Sequence, residues 1–371
     1  MNVQLIELAS GAPGVRHTLK VLRFGRPGAS PKATIQAALH ADEAPGILVA
    51  QHLRQQLAGL EAAGEMIGEV QLVPYANPIG LTQHVHGQHH GRFDVSDGVN
   101  FNRLHPELGD AAIGLLQGRL GGDAAVNVKL VREALLLAAG QLSALTPAQD
   151  LKHQLVKLAI DSDVVLDLHC DSQAVMHIYA LTPHERQATE LGMLLGAQAV
   201  LLATESGDSP FDEACSRPWL VLQERFADAA LPPACFSATV ELRGEADTSH
   251  VHATADAQAI IEFLRRQGVV AGAPRALPAA RCSATPLAGS EPLLAPRAGV
   301  VVFHAEPGDH IEAGAVVADV TDADTGEVIP VRACSSGVLY ARIATRWATP
   351  GKRLCKIAGT TAVRSGKLLS P

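Results

Sequence analysis

The chain has 371 residues, 47% hydrophobic and 18% charged, with a formal net charge of −8. That length predicts one large unit plus a small one, and the composition predicts a compact globular protein and excludes disorder. The acidic balance excludes a nucleic-acid partner, which needs a basic stripe, and no apolar run reaches the length of a membrane span.

The opening stretch MNVQLIELAS lacks the basic and apolar regions of a secretory leader, so a cytoplasmic protein is expected. The six cysteines (Cys170, Cys215, Cys235, Cys282, Cys334 and Cys355) form no C-x-x-C pair, which suits free thiols in a reducing compartment. Residues 3–24 alternate in short pieces and predict an opening strand pair, followed by the turn-rich GRPGASPK. Thr34 to Leu39 reads as a buried strand. His40 and Glu43 follow at its end, Pro45 and Gly46 come next, and a helical face begins with Ile47, Leu48, Leu53 and Leu57. Glu69 to Tyr75 is the next strand. The segment from Ala76 to Pro106 has no strong period and contains NPIG and four histidines, His84, His86, His89 and His90. It reads as a histidine-rich loop next to the pocket rather than a second metal site.

Glu107 to Ala159 predicts two or three helices broken near Gly121 and Pro147. Asp163 to Cys170 is a buried strand ending in a histidine, and Leu191 to Ala203 is a helix running into a strand. Ser206 to Pro218 reads as a polar loop, Cys235 to Leu242 as a central strand carrying Glu241, and Thr254 to Gln267 as an amphipathic helix. These alternating elements predict an α/β fold with a mixed sheet flanked by helices over residues 1–270. Residues 271–290, rich in Ala, Pro and Gly, predict a linker. Residues 291–371 predict a small all-β barrel, because PRAGVVV with GAVVADV is echoed by CSSGVLY with GKRLCKI. That unit resembles the biotinyl/lipoyl type of barrel. The turn between its halves, TDADTGE, offers no lysine, and none occurs from Glu291 to Thr349, so a carrier role is not expected.

Ligands of open α/β sheets gather beyond the carboxyl ends of the strands. Three strand ends here offer His40 with Glu43, His169, and Glu241. Two histidines and a carboxylate form a three-ligand zinc set with one position left open, and one zinc per chain is expected on His40, Glu43 and His169. A further carboxylate can take a proton from the activated water and hand it to a leaving amine, and Glu241 is the candidate. Asp167, two residues before His169, shares its face of the strand and can orient a ligand. Asn102 and Arg103 place an amide beside a guanidinium, suited to a substrate carboxylate. Arg92 and Arg243 are further cations able to meet a developing oxyanion. Cys170 faces the opposite way from His169 and reads as a core thiol.

HADE, NPIG, NFNR, DLH and VEL, in that order, resemble the succinylglutamate desuccinylase/aspartoacylase group of the zinc carboxypeptidase superfamily, over roughly residues 30 to 265. The resemblance implies a zinc-carboxypeptidase-like fold with a trailing β-unit. It also implies zinc ligands at His40, Glu43 and His169, a catalytic acid/base at Glu241, and a carboxylate-binding pair at Asn102 and Arg103. The reaction it implies is hydrolysis of a small N-acyl amino acid to a carboxylate and a free amine. The family often has an acidic residue where this chain has Asn100, and a glycine where it has Arg243. A carboxypeptidase releasing a C-terminal residue, and a zinc-holding binding protein without catalysis, are the alternatives. Product identity separates the first from the amidohydrolase, and tight binding of unhydrolysed analogues marks the second. The acyl group, the amino acid and homo-oligomer formation stay open at the level of sequence.

Overall fold

The structure, a computed structural model, describes residues 1–369. The last two positions of the expected 291–371 unit lie outside the described residues. In chain order the first part carries strands β1 (Asn2–Glu7), β2 (Thr18–Phe24) and β3 (Lys32–Ala37), helix α1 (Ala44–Ala62), β4 (Glu69–Val73), and a hairpin of β5 (His84–Val85) and β6 (Gln88–His89). Helices α2 (Gly109–Leu116), α3 (Ala124–Gly140) and α4 (Pro147–Ala159) lead to β7 (Val164–Asp171), β8 (Gln173–Ala174) and β9 (His177–Leu181). Then come α5 (Glu185–Leu195), β10 (Ala199–Ala203), α6 (Phe211–Arg225), β11 (Phe236–Gly244), α7 (His250–Arg266) and β12 (Ala284–Pro286).

Nine of these strands form one mixed sheet in the order β1-β2-β4-β3-β7-β11-β9-β10-β12. The four central strands β4, β3, β7 and β11 run parallel, so their carboxyl ends open on one edge of the sheet. Strands buried on both faces read as continuous apolar runs, and β3, β7 and β11 are almost wholly buried. One face packs Ile35, Leu166, Leu168 and Val240 against α1, α5 and α7. The other packs Val165 against α2, α3, α4 and α6. Side chains alternate along a strand, so Asp167 and His169 emerge on the same face as Val165. A mixed α/β fold with a large mixed sheet and flanking helices is therefore present as expected.

The strand pair at the start, the three helices between 107 and 159, and the strands bearing His169 and Glu241 fall where the sequence places them. Three stretches differ. Ser206 to Pro218 is a loop only as far as Pro210, and α6 then runs from Phe211 through Pro218 to Arg225. The four histidines from His84 to His90 fall on the β5–β6 hairpin and the residue after it, where the His84 and His89 rings stack with centroids 4.6 Å apart. Within the expected linker, Ala284–Pro286 pairs in parallel with β10 and extends the large sheet.

Beyond it lie β13 (Ser290–Leu294), β14 (Gly299–Phe303), β15 (His310–Ile311), β16 (Val316–Thr321), β17 (Val328–Arg332), β18 (Gly337–Arg342), β19 (Trp347–Ala348) and β20 (Arg353–Ala358). Where a small all-β barrel is expected, these strands make two separate antiparallel sheets, β13-β20-β18-β15 and β17-β16-β14-β19. Val301, Val317, Val320, Leu339, Leu354 and Ile357 from both sheets share one core. The first sheet also takes up β8 of the large unit, with Ala341 opposite Ala174 and Arg342 opposite Gln173. No described helix is long and apolar enough to cross a membrane, and all six cysteines are free thiols.

Candidate metal centre

After β3 the chain turns sharply through Ala38, whose φ of +56° lies in the left-handed region. The turn delivers His40, and the Glu43 backbone N–H donates to the His40 carbonyl at 3.1 Å. Pro45 opens α1, where a missing N–H costs nothing. The loop bearing Arg92 presses on this turn. A Cβ on Gly91 would lie 2.1 Å from the Asp42 nitrogen, so only glycine fits there.

His40, Glu43 and His169 are all buried, and their ligand atoms lie within 4.8 Å of one another. Glu43 sits between the two imidazoles, with Oε1 2.8 Å from His40 Nδ1 and Oε2 2.8 Å from His169 Nδ1. The far nitrogens are tied elsewhere, His40 Nε2 to Asn100 Oδ1 and His169 Nε2 to Asp167 Oδ2, each at 2.8 Å. A donor on Nε2 leaves Nδ1 as the lone-pair nitrogen, which is the arrangement that presents two neutral imidazoles and a carboxylate to one cation. The residues present therefore fit a divalent metal of the zinc type.

Burial, with Arg92 nearby, pushes the His40 imidazole down to about 4. Burial acts the same way on His169, but Asp167 and Glu43 outweigh it and hold that ring well above its usual range. For Glu43, burial opposes ionisation, and His40 with His169 overcomes it and keeps the carboxyl well below the usual range. Three buried groups of opposing charge preference are the kind of pairing that a bound cation relieves.

Glu241 is the direct register neighbour of His169 on the adjacent parallel strand. It borders the cavity, and its Oε2 is enclosed with no hydrogen-bond partner among the described residues. Burial first, then Glu43, raises its pKa to about 7, the range that suits proton transfer near neutral pH. Arg92 Nη1 lies 2.9 Å from both Glu43 Oε1 and His40 Nδ1, which places the guanidinium beside the cluster.

The cavity at the strand ends is lined by His40, Arg92, Asn102, Arg103, His169 and Glu241 together. Asn102 accepts from the Phe211 backbone N–H at 2.9 Å, so its amide also anchors the start of α6, and its Nδ2 approaches His169 Nε2 at 3.4 Å. Arg103 is 8% exposed and donates to the Asn102 carbonyl at 2.6 Å. Arg243 is not brought to this cavity. Its φ is +67°, and its guanidinium is ion-paired with Asp256 of α7, beside Val49 of α1. Two residues beyond Glu241 the strand is already bulging, between Glu241 and Gly244, and the simple alternation that would aim Arg243 at the site has ended. None of the four histidines from His84 to His90 lines the cavity.

Several lining residues were not legible. Asp212 and Glu213, in the first turn of α6, are buried at the cavity wall. Burial and the neighbouring Asp167 raise Asp212 to about 6, while burial and Asp212 raise Glu213 to about 7. Asp171 continues the 167–169 alternation and was within reach of period-two reasoning. Its partner, Lys356 on β20, is 185 residues away, and no local signal joins them. Lys356 also lies 5.1 Å over the Tyr340 ring and 3.3 Å from Tyr179 Oη.

Comparison with known proteins bears on this geometry. Residues 29–113 match the catalytic-domain model of the succinylglutamate desuccinylase/aspartoacylase family. The family likeness is shown for that segment. It holds His40, Arg92, Asn102 and Arg103, which line the cavity, and Glu43, which clusters with His40 and His169. A succinylglutamate desuccinylase/aspartoacylase family protein from Shewanella amazonensis is 26% identical, with a TM-score of 0.84 over 96% of this chain and 98% of its own. A second such protein, from Shewanella frigidimarina, is 23% identical with a TM-score of 0.86, covering 96% of this chain and 97% of its own. The product-bound ectoine utilization protein EutE from Ruegeria pomeroyi, 16% identical, aligns over 97% of this chain and 95% of its own with a TM-score of 0.67, and shares the fold. Comparison with curated proteins gives no match. The fold likeness to the two Shewanella proteins covers 96% of this chain, the trailing β-unit included.

Proposed function

We propose that the protein is a zinc-dependent amidohydrolase that cleaves the amide bond of an N-acyl amino acid, using His40, Glu43 and His169 as ligands and Glu241 as general base and acid. The observation that carries this reading is the convergence of both Nδ1 atoms on Glu43, with Glu241 alongside His169 and its Oε2 enclosed without a partner among the described residues. Zinc at such a site supplies Lewis acidity to a carbonyl and lowers the pKa of water to roughly 7. Glu241 accepts the proton of the attacking water and returns it to the nitrogen of the departing amine. Arg92 faces the place where negative charge develops on the former carbonyl oxygen. Arg103, with the Asn102 amide, holds the substrate carboxylate and so fixes which amide reaches Glu241.

Metal analysis together with amine release from N-acetyl, N-formyl and N-succinyl amino acids tests the proposal. About one zinc per chain is expected. Glu241→Gln should keep the metal and lose turnover by about 10²- to 10⁴-fold, the usual scale of a general acid/base. His169→Ala should lose the metal itself. A zinc-loaded chain that releases no amine from any member of the panel, or full activity in Glu241→Gln, would overturn the assignment.

A further inference from the structure

After β20 the described residues 359–369 have no regular structure, yet they stay on the protein. Val363 and Arg364 donate their backbone N–H groups to the Ala288 carbonyl at 3.0 and 3.1 Å. The Arg364 guanidinium donates to the Ser290 carbonyl at 3.1 Å and to the Leu368 carbonyl at 2.9 Å. The Leu368 N–H donates to the Ser206 carbonyl at 2.8 Å, and Lys367 Nζ pairs with Asp208 at 2.6 Å. An irregular segment is thus fastened at one end to the turn before β13 and the start of that strand, and at the other to the loop before α6.

That loop is itself part of the site. Asp208 and Ser209 adopt left-handed φ values of +60° and +44°, and their carbonyls accept from Leu104 and His105, directly after Asn102 and Arg103. The fastening brings Leu368 to 8% exposure among Tyr179, Leu201, Leu287 and Tyr340, with Leu369 packed against the same group. Both leucines line the cavity that holds His40, His169 and Glu241. The cavity consequently has two chemistries, an amide and guanidinium from Asn102 and Arg103 and an aliphatic wall made in part by this segment.

We infer that Leu368 and Leu369 determine substrate size: they form the wall against which an aliphatic group of the substrate packs, and they limit its length. The inference rests on the amidohydrolase reading only for the identity of the ligand. A wall of this kind discriminates by methylene groups, because each one that fits gains dispersion contact and each one too many must displace a packed side chain. Two leucines on a segment held by a few hydrogen bonds are also easier to alter than side chains on the central sheet.

The test is calorimetric binding of N-acyl amino acids to the zinc-loaded chain in a Glu241→Gln background, so that turnover is not required. The series lengthens the acyl group from acetyl to octanoyl on one amino acid, and the side chain from alanine to leucine on one acyl group. With Leu368 and Leu369 in place, affinity should peak at a short member of one series and fall at least about tenfold beyond it, the scale set by one or two methylenes in an apolar pocket. Leu369→Ala and Leu368→Ala should shift that peak to longer members by a similar factor, and a chain ending at Gly359 should lose the cut-off. Size profiles that stay within twofold in both leucine variants, with unchanged melting temperature, would overturn the inference even if the truncated chain fails to fold. A shifted profile, combined with a zinc-loaded chain that retains Glu241 yet hydrolyses nothing, would sink the amidohydrolase reading alone. Hydrolysis with an unshifted profile would sink this one alone.

Discussion

Each imidazole of the cluster presents Nδ1 to Glu43 because its other nitrogen already has a partner. His169 is held by Asp167, a residue on its own strand, and His40 by Asn100, sixty positions along the chain. Partners of this type fix tautomer and ring orientation and typically contribute 10- to 100-fold to metal affinity. Asn100→Ala should therefore weaken zinc binding by about 10- to 100-fold in a chelator competition. Asn100→Asp, which keeps an acceptor at Oδ1, should restore it. The rescue matters because Asn100 Oδ1 also accepts from the Asn102 N–H, so the alanine variant loosens the loop as well. Equal affinity in wild type and Asn100→Ala would remove the orienting role. The position is instructive about what residues alone disclose. His40, Glu43, His169 and Glu241 could be picked out because each stands at the end of an apolar strand. Asn100 stood out only as a departure from the family pattern, and its task is visible once the loop is folded over His40.

At the scale of the element, α6 carries the clearest pH-dependent behaviour. Its first turn places Asp212 and Glu213, 7% and 6% exposed, in the wall of the cavity. The helix N-terminus favours their negative charge, but burial costs more. Glu213 has a folded-state pKa of about 7 against an ordinary value of 4.5. Between those two pH values the folded chain keeps a proton that the unfolded chain has released. Stability from this group therefore falls as pH rises through that window and is level above it. Glu213→Gln keeps an acceptor for the Ser206 N–H and removes the charge. Relative to wild type it should gain stability on going from pH 5 to pH 8, by up to roughly 3 kcal/mol at 1.36 kcal/mol per pH unit. Urea unfolding at the two pH values measures it, and a difference independent of pH would show that Glu213 is ionised throughout. This helix was hidden in the sequence for a physical reason. The polar lead-in with Gly207 and Pro210, and Pro218 in the helix interior, both oppose a helical reading, and burial of Phe211, Cys215, Trp219 and Leu222 overrides them. The central strands needed no such override, because apolar runs bounded by turns already specify them.

Over the whole molecule, the trailing β-unit is joined to the large sheet by more than a connecting segment. β18 pairs with β8, the Val175 N–H donates to the Tyr340 carbonyl at 3.0 Å, and Lys356 is ion-paired with Asp171. Tyr340, 1% exposed, packs with Tyr179, Leu201 and Leu287, and its hydroxyl lies 2.7 Å from Ser290 Oγ. The internal echo of the sequence places β14, β16, β18 and β20 correctly, but pairing between units that are far apart in the chain leaves no trace in either half. Nor does an echo distinguish a closed barrel from two facing sheets, since both bury the same alternate residues. If the shared cluster couples the two parts, heat should unfold the protein in a single calorimetric transition. Tyr340→Ala should lower that transition as a whole, by about 3–5 kcal/mol, the usual cost of emptying a buried aromatic site. Independent parts would instead give two transitions, with the substitution moving the one that belongs to the β-unit. Because Tyr340 also lines the cavity, the coupled case carries a second consequence. Zinc added to the Glu241→Gln background should raise the same single transition that Tyr340→Ala lowers, and a zinc effect confined to a separate, higher or lower transition would show that the site and the β-unit fold apart.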